Sequence, residues 1–339
     1  MKVRIDPGSK EPIYKQIVQQ MERAVREGHL APGLQIESMN ELAARENISK
    51  ETVKKAYGVL VEKGIIIPKQ GKGFYTADLS AGSRPTVLVL FDKLSIYKQL
   101  LFNSFASALG NRAETRILTH NQEISLLEYY LDSYLDMFDY YVVTPHFPLD
   151  DKTQERVRRQ IARIPNRKLI MLDRLLPDYP GNYGAVYQNF ENDIYGGLSQ
   201  GNLDSNCHLK VMTLPESLYG GSIRKGIERY CHDRHVPVSF YTGIPEDITP
   251  GDTFLVLNSQ LDDGLVGLAR HIRTLGLTIG RDVRIISYNE FAMNELVLDG
   301  LTTVSTDFQE MGRLAAGMIL EKSLHKVHCP FRMTRRSTF

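Results

Sequence analysis

From Pro85 onward, short apolar runs alternate with amphipathic stretches, and no other feature restricts the architecture as tightly. The runs are "TVLVLF", "TRILTH", "YYVVTP", "KLIMLD", "GAVYQN", "KVMTL", "VSFYTG", "TFLVLN", "RIISYN" and "LTTVSTD". Between many of them lie helical patterns such as "YKQLLFNSFASALGN", "TQERVRRQIARI", "GGSIRKGIERYCHD" and "DDGLVGLARHIRTLG". Strands that are apolar on both faces, joined by helices, imply parallel sheets covered on each side. About ten strands strain a single sheet, so two doubly wound lobes are expected over residues 86–339.

The first part of the chain keeps a different rhythm. Pro12 opens a helical pattern whose apolar residues Ile13, Ile17, Val18, Met21 and Val25 share one face, and Gly28 with "LAPG" ends it. Ser38 stands three residues before Glu41, the spacing of a capping box, at the head of "MNELAARE". Ser49 heads a third helix, with Val53, Ala56, Leu60 and Val61 on its inner side, and Gly64 stops it. "IIIPKQGKGFYTA" then reads as a small hairpin. Three helices and a hairpin within about 70 residues outline a winged helix-turn-helix. The expected class is therefore α/β, with a winged helix-turn-helix at residues 1–76 and a two-lobed domain at 86–339. The small, polar "ADLSAGSRP", residues 77–85, is expected to link them.

Charge is uneven although the net is only +1. Residues 1–80 carry thirteen basic against ten acidic side chains, and six lysines but only Glu51 and Glu62 lie between Asn47 and Lys72. A lysine-rich face on the third helix suits phosphate neutralisation, and it also suits plain solvation. Cys207, Cys231 and Cys329 are odd in number and far apart, which argues against a disulfide framework and for a reducing cytoplasm. No apolar run reaches membrane-spanning length, so no membrane partner is expected. The nine histidines show no ligand spacing, and G-x-G-x-x-G, P-loop, H-E-x-x-H and G-x-S-x-G motifs are lacking. Neither metal nor cofactor is expected, and an enzyme is disfavoured.

The motifs "PIYKQI", "GHLAPG", "SMNELA", "TVKKAYGVLVEKG" and "QGKG" stand in order, and together they resemble the DNA-binding domain of the GntR family of bacterial transcription regulators. The resemblance implies a double-stranded operator as partner. It places Ser38 and Asn40 at the second helix, and Ser49, Lys50, Thr52, Lys54 and Lys55 at the recognition helix. Gln70, Gly71 and Lys72 fall in the wing. The family usually has arginines where Lys50 and Lys54 stand and often at Asn40, and a proline at Glu37. Lysine gives phosphate contact rather than bidentate reading of guanine.

The second region resembles the sugar-sensing domain of the LacI/GalR repressors, related to periplasmic binding proteins. The resemblance lies in "LIMLDRLLPDYPGNYGAVYQNFENDIYGG", "FLVLNSQLDDGLVGLARHIRTLGLTIGRDVRIISYNEF", "LTTVSTDFQEMGRLAAGMIL" and "VLVLFDKLSIYKQLLFNSFASAL". Joined to a GntR reader, it is similar to arabinose-type chimeric repressors. Ligands in open α/β sheets bind at the carboxyl ends of strands. The candidates are Asp92, His146, Asp173, Arg174, Asn189, Asn258 and Asn289. Tyr97 is the aromatic candidate beside them; Tyr187, Tyr241 and Tyr288 are further ones. The resemblance best supports Arg174, Asn258 and Asn289, with Asn289 where aspartate is commoner. It adds Arg224, one place from the usual arginine. For Asp92 and His146 a strand-end or turn role is an equal alternative.

The expected function is a sequence-specific transcription regulator, a repressor of carbohydrate-utilisation genes. A monosaccharide or derivative bound between the lobes would control it, and it would act as a homodimer. The alternatives are an architectural DNA binder whose second domain only dimerises, or an α/β enzyme tethered to DNA.

Overall fold

The structure, a computed structural model, describes residues 3–9, 11–69, 71–77, 84–203, 206–213, 217–257 and 262–339. It divides into two compact units, residues 1–84 and 85–339.

In the first unit, α1 (Ile13–Arg26), α2 (Met39–Glu46) and α3 (Lys50–Glu62) precede β1 (Ile66–Lys69) and β2 (Gly73–Thr76). Ile17, Val18, Met21, Leu42, Val53, Ala56, Tyr57 and Leu60 are buried together. The capping box forms as its spacing predicts: Ser38 Oγ accepts the Glu41 amide, and Glu41 accepts the Ser38 amide at 2.8 Å. Ser49 caps α3 through the Thr52 amide. The hairpin pairs Ile66 with Thr76 through Lys69 with Gly73. An unforeseen third strand flanks it. Residues 33–36 run antiparallel to β2, with amides of Gly33 and Ile36 donating to Thr76 and Phe74 at 3.0 Å and a bridge at Gln35–Tyr75. Ala77, expected in the linker, belongs to this unit: it is buried and its amide donates to Ile65 at 2.9 Å. The rest of the expected linker lies largely outside the described residues.

The second unit holds two six-stranded sheets. The first lobe is built from β3 (Thr86–Phe91), β4 (Glu114–Thr119), β5 (Tyr140–Val143), β6 (Leu169–Asp173), β7 (Gly184–Tyr187) and β13 (Lys326–His328). Its order is β4-β3-β5-β6-β7-β13, all parallel. The second contains β8 (Leu209–Met212), β9 (Val238–Tyr241), β10 (Thr253–Val256), β11 (Arg284–Tyr288), β12 (Thr302–Thr306) and β14 (Phe331–Thr334). Its order is β9-β8-β10-β11-β12-β14, parallel except for β14. Helices α4 (Ile96–Leu109), α5 (Ile124–Tyr134), α6 (Asp151–Ile161) and α10 (Phe308–Leu320) cover the first sheet. Helices α7 (Phe190–Gly201), α8 (Gly220–Arg234) and α9 (Gly267–Thr274) cover the second.

Alternate residues explain the continuous apolar runs. Val87, Val89 and Phe91 face α4 and α10, while Leu88 and Leu90 face α5 and α6. All ten foreseen strands are present; β13 and β14 were missed because they are short, partly exposed edge strands. Among the described residues the chain crosses between lobes three times, after β7, after β12 and between β13 and β14.

Candidate functional sites: a basic helix and an inter-lobe charge cluster

In the first unit, Lys50 and Lys54 follow one another by four residues on α3 and are exposed. Lys54 lies 3.6 Å from Glu51, a solvated pair that contributes little. Among the described residues, Lys50 and Lys72 make no ion pair. Asn40 is exposed at the first turn of α2. The hydroxyls of Ser38 and Ser49 are committed to caps, and Thr52 Oγ1 shares a 2.8 Å hydrogen bond with Ser49. Lys55 departs from the expected face: its ammonium sits 4.1 Å from the centre of the Tyr14 ring on α1. In the wing, Gly71 and Gly73 adopt φ of 71° and 92°, which favour glycine. Gln35 donates to the Lys72 carbonyl at 2.9 Å and braces that turn. Gln70 lies outside the described residues.

In the second unit, four of the expected residues converge. Asp92 follows β3, His146 follows β5, and Asp173 and Arg174 end β6. Asp92, His146 and Asp173 are each at least nine-tenths buried. Lys98, on the inner face of α4, joins them. Its ammonium bonds the Asp173 carboxylate and lies 3.4 Å from Asp92. His146 Nε2 is 2.9 Å from Asp173. Thr144 donates to Asp92 at 3.0 Å, and Gln188 donates to the other Asp173 oxygen while accepting from Thr306.

Burial alone would raise the Asp173 carboxyl, but the charges of Lys98 and His146 prevail and hold it far below the usual range. Asp92 is lowered in the same way, with burial opposed chiefly by Lys98. Burial would lower the Lys98 ammonium, and the two carboxylates raise it instead. The site thus holds one ammonium and two carboxylates ionised together. Arg174, half-buried, donates to the Pro145 carbonyl and Gln154 at 3.2 Å.

The second lobe supplies Tyr219, at the head of α8. Its hydroxyl lies 2.5 Å from His146 Nδ1, its ring stacks on Phe190 at 4.2 Å and 6°, and the Arg174 guanidinium lies 5.6 Å above it. Since His146 Nε2 faces an acceptor, its Nδ1 accepts from Tyr219 when the ring is neutral. Burial raises the Tyr219 phenol. Tyr288 at the end of β11 is buried, and its hydroxyl has no hydrogen-bond partner among the described residues.

Other expected residues are placed elsewhere. On α8 Ile223 takes the inward position, and Arg224 turns outward to Glu228 at 2.7 Å and over Phe240 at 4.1 Å. Asn189 is exposed and caps α7 through the Asn192 amide, so its side chain serves the helix end. Asn289 ends β11 with φ 75°, its amide donating to Val304. Tyr97 stacks on Phe308 at 5.4 Å. Asn258 lies outside the described residues.

A cavity of about 380 Å³ opens at the lobe crossovers between Leu100, Phe291, Thr306 and Phe308, sharing only Thr306 with the charge cluster and its partners. Sequence reasoning missed Lys98, Phe190, Gln188 and Tyr219. Lys98 had a usable signal: it precedes Leu101, Phe105 and Leu109 at helical spacing, a lysine on an apolar stripe.

Residues 13–76 match the family described as bacterial regulatory proteins, gntR family, and residues 245–337 match the periplasmic binding protein-like domain. The HTH-type transcriptional repressor YtrA of Bacillus subtilis is 41% identical over 76 residues, covering 22% of this chain and 58% of that protein. The arabinose metabolism transcriptional repressor of Halalkalibacterium halodurans is 28% identical over 116 residues, 34% of this chain and 31% of that protein. The chain thus spans little more than half, or less, of the curated relatives it matches. The lac repressor bound to ONPG superposes with TM-score 0.59 at 16% identity, over 94% of this chain and 95% of that one, which shows a shared fold.

Proposed function

Because residues 13–76 match the gntR family of bacterial regulatory proteins and residues 245–337 match the periplasmic binding protein-like domain, we infer that the chain is a DNA-binding transcription regulator governed by a small molecule. It acts as a cytoplasmic repressor of carbohydrate-utilisation genes, as a homodimer on a repeated operator. The observation that carries this reading is the exposed Lys50–Lys54 face on a helix of that family, in one chain with an inter-lobe cluster of buried charges.

Helix α3 enters the major groove, Lys50, Lys54 and Lys72 meet phosphates, and the caps at Ser38 and Ser49 hold their helices in register. The effector is a monosaccharide or a derivative held between the lobes by Asp92, His146, Asp173 and Arg174, with Asn258 and Asn289 on the second lobe. The regulator named for arabinose metabolism supports the carbohydrate class. An effector can shift the lobes only by its differential affinity for their arrangements, and about 3 kcal/mol changes operator affinity roughly 150-fold.

The test is a gel shift on the chain's own promoter DNA over a salt series, with and without a panel of pentoses and hexoses. Lys50→Ala is expected to weaken binding and flatten the log–log salt slope by about 0.9. Unchanged affinity and slope would remove α3 from the interface. No response to any sugar would favour the architectural reading.

A further inference from the structure

Every polar group of the inter-lobe cluster has a protein partner, and one partner comes from the opposite wall. The first lobe provides Asp92, Lys98, His146 and Asp173; the second provides Tyr219 and, at the start of α7, Phe190. Tyr219 reaches across to His146 Nδ1 at 2.5 Å, lies flat on Phe190 at 4.2 Å and has Arg174 over its ring. His146 passes the contact to Asp173, Asp173 to Lys98, and Lys98 to Asp92. The Tyr219 phenol thus ties the second lobe to the buried network at His146, and Thr306 of the second lobe reaches the same network at Asp173 through Gln188.

We propose that Tyr219 is an internal latch: it occupies the effector cleft, holds the lobes together, and is displaced when the effector binds. The inference rests on the effector reading above and deepens it. What displaces Tyr219 must reproduce what it supplies, a flat apolar face toward Phe190 and a hydroxyl toward His146 Nδ1. Asp92 and Asp173 carry two negative charges against the two positive charges of Lys98 and Arg174. An anionic ligand would stand beside two carboxylates, so the class that fits is an uncharged cyclic polyol. Lobe opening then precedes binding, and the latch lowers the apparent affinity by the fraction of time it is closed.

The test uses the full-length protein and Tyr219→Phe, which keeps the ring on Phe190 and removes the hydroxyl. Hydrogen–deuterium exchange is read at both cleft walls, residues 144–147 and 173–175 on one and 188–192 and 217–223 on the other. Loss of one hydrogen bond is expected to raise exchange there about three- to tenfold while the β3 and β10 cores stay unchanged. Equal exchange at both walls overturns the latch, whatever any sugar does. Thermal melts with L-arabinose, D-xylose and D-galactose form the second arm. A sugar that stabilises the wild type is expected to bind Tyr219→Phe several-fold more tightly; equal or weaker binding overturns displacement. Raised exchange with no sugar shifting either protein leaves the latch standing and removes the neutral-sugar reading.

Discussion

His120 is a buried imidazole stacked on Phe147 at 4.3 Å, with Nε2 3.1 Å from the Thr144 carbonyl and Nδ1 accepting the Gln122 amide. That pair of partners selects the neutral tautomer, and burial pushes its pKa down to about 4. The folded value lies below the unfolded one, so the unfolded chain binds the proton first. Stability is full above about pH 6.5 and falls as pH drops toward 4, by at most about 3 kcal/mol for this group. Urea denaturation at pH 7 and pH 4.5 checks this: His120→Asn is expected to be less stable at pH 7 but to lose less on acidification. An identical pH dependence in both proteins would refute it. The residues of the inter-lobe charge cluster were half legible. The strand-end rule found Asp92, His146, Asp173 and Arg174, since parallel strands aim their last side chains at one edge. It was blind to Lys98 and Tyr219, which reach the same point from helices, and it said nothing about Ile223 displacing Arg224.

At the scale of elements, periodicity and caps were the legible part. Strands such as β3, β5, β6 and β10 are apolar on both faces because helices cover both, and such runs stand out in a sequence. β13 and β14 do not, because "KVH" and "FRMT" sit at sheet edges with half their residues toward solvent. Helix contacts were not legible either. Gly312 on α10 lies so close to α4 that a Cβ added there would stand 2.3 Å from the Leu101 carbonyl oxygen and 2.8 Å from the Phe105 nitrogen. Backbone cannot rotate aside as a side chain can. Gly312→Val is expected to cost about 1–3 kcal/mol by overpacking. Thermal unfolding reads this as a lower melting point, with Gly196→Ala, where a Cβ meets nothing within 4 Å, as the tolerant control. Equal melting points for Gly312→Val and wild type would show that α4 and α10 can separate freely.

At the scale of the molecule, the two-lobed plan was legible from strand count alone, whereas assembly needs surface. After β11, Met293 and Leu296 are 60% and 80% exposed. These two side chains are the candidate contact for the proposed homodimer. The chain is expected to scatter light as a dimer, and Leu296→Asp to shift it toward monomer; a wild-type monomer at micromolar concentration would refute the proposed homodimer. The three crossovers carry a consequence for biosynthesis. Residues 326–334 add an edge strand to each lobe, so neither sheet is complete until that segment has left the ribosome. The first unit, finished some 250 residues earlier, can fold while the second is still being made. A nascent or prematurely terminated chain would therefore carry a finished first unit with an incomplete second one, so under the proposed function protein quality control would become part of keeping the protein responsive.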